Sequence, residues 1–61
     1  MHVNSAELEE ALESNPQGLI GKEYVGKGAI PIHDNKSAIH AGEFVIFIDS
    51  DTREIEEVIE R

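Results

Sequence analysis

The sequence predicts an α+β fold, with an N-terminal helix packed on a small antiparallel sheet of about three strands. Three observations lead there. Residues 4–14, NSAELEEALES, carry apolar side chains at helical spacing behind a capping signature. Residues 43–49, EFVIFID, hold the longest apolar run of the chain. The stretch between them is broken by glycine and proline into short, extended-looking pieces. With 61 residues, the chain makes one domain, residues 1–61.

The helix has a defined start. Asn4 is placed to cap it, and Glu7, three residues on, completes a capping box. Val3 and Leu8 occupy the two positions of a hydrophobic staple. Leu8, Ala11 and Leu12 share one face, while Glu7, Glu9, Glu10 and Glu13 cover the rest. Early acids also suit the positive end of the helix dipole. Asn15, Pro16 and Gly18 end the helix. Its apolar face is narrow, enough to cover a sheet but not to build a bundle.

Residues 19–32 read as extended but irregular. Tyr24, Val25, Ile30 and Ile32 favour a strand, and Gly26 and Gly28 predict a bulge or bend. Pro31 has no N–H to donate, which places this strand at a sheet edge. Residues 33–38, HDNKSA, read as a polar turn with one helical turn continuing into Ile39. Residues 43–49 form the strongest strand, expected at the centre of the sheet. Phe44, Ile46 and Ile48 point one way, Val45 and Phe47 the other, so both faces need cover. One short helix covers one of them.

The C-terminal TREIEEVIER fits two templates. Ile55, Val58 and Ile59 match a helix, with Asp51 and Glu54 as its cap. A strand is interrupted by Glu57, which breaks the alternation of Ile55 and Ile59. The hairpin is the preferred reading. Asp49 can accept backbone hydrogen bonds within a turn, and Arg53 falls where a bulged loop usually has glycine.

Composition narrows the function. A chain this short buries roughly 60% of its unfolded surface and is marginal alone. Cysteine is absent, so disulfides cannot help, and a cytoplasmic setting fits best. Self-association is the expected aid. No apolar run approaches the roughly 20 residues of a membrane-spanning helix, and the first ten residues lack the features of a signal peptide. Thirteen acids against five bases give a net charge of −8. That field disfavours nucleic acid and attracts basic protein surfaces. With 39% hydrophobic residues, the chain has the means to fold.

The chemical motifs each fail at a named position. IDSDT, residues 48–52, approaches the Asp-x-Asp-x-Thr nucleophile motif of haloacid-dehalogenase-type phosphotransferases. Thr52 comes one residue early, Arg53 takes its place, and ten residues after Asp51 are too few for the other ligands. As a calcium loop, Asp49, Asp51 and Glu60 fall at positions 1, 3 and 12, but Arg53 replaces a ligand and Glu54 the turn glycine. His33, Asp34 and His40, with His2, lack a zinc spacing signature. Ser5, Ser14, Ser37 and Ser50 have no nucleophile elbow, and GKG at residues 26–28 is too little for a phosphate loop. No enzyme activity, metal or cofactor is expected. Lys22 and Lys27 flank Tyr24, but Phe44 and Phe47 read as packing residues rather than a base-stacking platform.

Residues 26–55 resemble the swapped-hairpin domain of AbrB and MazE-type regulators. The counterparts are GKGAIPI (26–32), NKSAIHAG (35–42), EFVIFID (43–49) and Glu54 with Ile55. The resemblance implies a short helix within residues 35–42 and an intertwined homodimer. It also implies DNA contacts from basic residues, for which Lys22, Lys27 and Lys36 are the candidates. His33, Asp34 and Asn35 stand where that family carries arginines after the proline.

The expected function is a small acidic protein-binding module, a regulator or adaptor acting as a homodimer. Tyr24, Val45 and Phe47 are its candidate interface residues. The alternatives are a DNA-linked regulator or antitoxin of the swapped-hairpin kind and an acidic DNA mimic.

Overall fold

The computed structural model describes residues 2–61. In chain order it contains β1 (His2–Val3), α1 (Ser5–Ser14), a 3-10 turn (Pro16–Leu19), β2 (Glu23–Tyr24), β3 (Ile30–His33), β4 (Lys36–Ala41), β5 (Phe44–Asp49) and β6 (Ile55–Glu60). The α+β class holds. The sheet has four antiparallel strands rather than about three, in the order β3-β4-β5-β6, so β5 is internal and Pro31 lies on an edge strand. A short strand also precedes the helix: β1 pairs in parallel with β2.

Asn4 caps α1 as its sequence position demands. Its side chain accepts from the Glu7 N–H at 2.9 Å, and the Glu7 carboxylate accepts from the Asn4 N–H at 3.2 Å. Leu8 and Leu12 are buried against Val3, Leu19, Tyr24, Ile39, Ile46, Ile48, Ile55 and Val58. Helix and 3-10 turn therefore cover the sheet face that carries Ile46 and Ile48, which are fully buried.

The fourth strand corrects the reading of residues 33–38. Asp34 and Asn35 alone make the turn, and residues 36–41 are strand, not helix. The same holds for the short helix implied over residues 35–42. Ser37 and Ile39 face the core, and Lys36, Ala38 and His40 face away. The Ser37 hydroxyl would be a poor core group, but it lies 2.7 Å from the Ser50 hydroxyl and is satisfied. The next turn, at residues 42–43, has Gly42 at φ 61°, the conformation that the first position of a two-residue hairpin loop favours for glycine.

The irregularity predicted at Gly26 and Gly28 sits elsewhere. Pro31 pairs with Ser37 and His33 with Lys36, which leaves Ile32 as the extra residue of a β-bulge. Gly26 has a different role: a Cβ there would collide with the Tyr24 ring and hydroxyl.

The C-terminus is a strand. Phe47 pairs with Glu57 and Ile48 with Ile55, so Glu56 is the extra residue of a second bulge. The bulge puts Ile55 and Val58 on one face although they are three apart, which is why the segment also matches a helix. Arg53 adopts φ 67°, as expected where the loop would suit glycine. Two hydrogen bonds hold it there: Nε donates to the Tyr24 carbonyl at 3.1 Å and Nη2 to the Gly26 carbonyl at 2.9 Å. Arg53→Ala and Arg53→Gly both lose these bonds, but only alanine keeps the left-handed penalty of about 1 kcal/mol. In urea unfolding both variants are expected below wild type, with alanine about 1 kcal/mol below glycine. Equal midpoints for the two variants would contradict a strained Arg53.

Candidate functional site

The sheet face turned away from α1 is set by the cross-strand register. Lys36 lies beside Asp49, Ala38 beside Phe47, and His40 beside Val45. On the next strand, Glu57 neighbours Phe47 and Ile59 neighbours Val45. On the outer strand, Ile30 neighbours Ala38. One face thus gathers Ile30, Ala38, Val45, Phe47 and Ile59 into an apolar patch.

Among the described residues, no element covers this patch. Ile30 is 58% exposed, Ile59 42% and the bulged Ile32 43%, while Val45 and Phe47 are half-buried by their neighbours alone. A single exposed isoleucine needs no explanation; a contiguous apolar group on one sheet face makes this the candidate surface of the molecule. Its charged border is mixed. The Lys36 ammonium lies 5.3 Å from the centre of the Phe47 ring. A shallow depression beside it is lined by Ile32, His33, Lys36, Asp49 and Glu56. Lys36 has no carboxylate partner within 4 Å: the one contact of that kind between a basic and an acidic side chain among the described residues is His2 Nδ1 to Glu23 Oε1 at 3.1 Å.

Two of the three candidate interface residues, Val45 and Phe47, lie on this face. Tyr24 does not. It is 1% exposed and packs in the core on the other side. Its hydroxyl donates to the Lys27 carbonyl at 2.6 Å and lies 2.9 Å from the Ser5 hydroxyl. Those bonds explain how a tyrosine flanked by lysines is buried without leaving its hydroxyl unsatisfied. Ile30, Ile59 and Lys36 belong to the patch and were missed, because membership depends on strand pairing and on the Glu56 bulge rather than on local sequence.

Asp49 and Asp51 form a turn. Asp49 Oδ1 accepts from the Asp51 N–H at 2.8 Å and from the Thr52 N–H at 3.1 Å. His33 and His40 lie at opposite ends of the open face, and His2 is in the other, two-stranded sheet. Among the described residues, no group of three or more metal-ligating side chains converges. No described helix is long and apolar enough to cross a membrane. No protein-family model, curated protein or solved structure matches the chain.

If Asp49 serves the turn through its acceptor oxygen, asparagine can replace it and alanine cannot. Asp49→Ala is expected to lose about 1 kcal/mol in chemical denaturation, and Asp49→Asn much less. Equal losses would show that the turn depends on the charge rather than on the acceptor.

Proposed function

We propose that the chain is a small, acidic, non-enzymatic protein-binding module that works as a homodimer through the open face of its sheet. The supporting observation is that apolar face, flanked by Ile30 and Ile59 and centred on Phe47. A marginal 61-residue domain gains stability by burying it.

The rest of the surface fits a regulator or adaptor. Glu7, Glu9, Glu10 and Glu13 project from α1 on the side opposite the patch and are exposed or partly so. Assembly through the sheet leaves these acids free to meet a basic partner. With a net charge of −8, they speed encounter more than they add affinity.

Phe47→Asp tests the interface directly. Phe47 is outside the buried cluster, so the variant is expected to keep the wild-type far-ultraviolet circular dichroism. Its dimer dissociation constant is expected to rise tenfold or more, as for a central aromatic anchor. Light scattering from micromolar to millimolar chain measures this. A folded variant that assembles and binds its partners like wild type would remove the open face from the proposal.

A further inference from the structure

Resting on the homodimer reading, we infer that the occupant of the open face is a second copy packed face to face, related by a two-fold axis parallel to the strands between β4 and β5. Both edges of the sheet are poor sites for strand addition. On β3, Pro31 removes a donor and the Ile32 bulge distorts the ladder. Along β6, the Ile55 N–H already donates to Lys22, its carbonyl accepts from Gly21, and the Gln17 amide donates to the Val58 carbonyl. Association is left to the face.

The register selects the axis. Two sheets pack about 10 Å apart with their strands nearly aligned. A two-fold parallel to the strands puts β4 of one copy over β5 of the other, level for level. Phe47 then lies over the partner copy's Ala38, a large side chain against a small one, and the pairing repeats by symmetry. At the same level as Asp49, Lys36 comes over the other copy's Asp49, with Glu56 on the adjacent strand. The ammonium left unpaired within one chain acquires carboxylates from the other. An axis perpendicular to the strands places Lys36 over His40 instead and supplies no carboxylate.

The patch also sets the strength. Four strands at about 4.8 Å and six residues at about 3.4 Å give a footprint on the order of 400 Å². That is at the low end for specific interfaces, so the dimer is weak and concentration-dependent.

Sedimentation equilibrium with charge-exchanged chains tests the arrangement. Lys36→Glu, which turns its contacts to both Asp49 and Glu56 of the other copy repulsive, is expected to weaken the dimer by about tenfold or more, and Glu56→Lys, which leaves Lys36 over Asp49, to weaken it less. An equimolar mixture of the two chains is expected to associate more tightly than either chain alone, because across the mixed dimer only the exchanged position 36 against Asp49 is repulsive and the other three contacts join opposite charges. Circular dichroism checks each fold. If Lys36→Glu does not fold, Lys36→Gln takes its place and is expected to weaken the dimer on its own and, mixed with Glu56→Lys, to associate more tightly than either chain alone. A wild-type dimer that Phe47→Asp breaks but the charge exchanges leave intact overturns this geometry and spares the interface. Weakening without recovery in the mixture also overturns it. A wild-type chain that stays monomeric to millimolar concentration overturns both the second copy as occupant and the homodimer reading.

Discussion

One short helix and a four-stranded sheet apolar on both sides cannot satisfy each other within a single chain. The ten residues of α1 supply Leu8 and Leu12 to one face, where Ile46 and Ile48 are fully buried. Nothing comparable reaches Val45 and Phe47 on the other. In β5, alternate residues must point to opposite faces. The residues that fill the core therefore oblige their neighbours to form the exposed patch.

The irregular features serve that sheet. Arg53 takes a left-handed conformation and uses its guanidinium to tie the last hairpin to residues 24 and 26. The neighbouring Tyr24 N–H donates to the Arg53 carbonyl at 2.8 Å, so the loop and β2 hold each other. The Glu56 bulge keeps both Ile55 and Val58 in the core while turning Glu56, Glu57 and Ile59 outward. Each device puts apolar bulk on the α1 side and a mixture of apolar and charged groups on the other. Acidic side chains on the helix add a third surface, chemically unlike the patch.

Much of this was legible in the sequence, where a single residue type has one dominant use. The Asn4–Glu7 capping box, the edge position of Pro31, the two-faced β5 and the glycine-like place of Arg53 are of that kind. Strand β4 was not, because its core face carries Ser37, Ile39 and Ala41, and a serine and an alanine give little apolar signal. The serine's fitness for the interior depends on Ser50, thirteen residues away. Tyr24 was misplaced for the same reason: the partners that allow its burial, Ser5 and Lys27, belong to tertiary structure. The patch itself was half legible. Val45 and Phe47 follow from alternation, while Ile30 and Ile59 join them only through register.

The most direct test of the central claim is an isotope-filtered nuclear Overhauser spectrum on a mixture of labelled and unlabelled chains, recorded at millimolar concentration. The open-face account predicts contacts between copies from the Phe47 ring to the Ala38 methyl group, and none from Leu8 or Ile46. Contacts between copies that arise from α1 or from the covered face, with Phe47 silent, would contradict it.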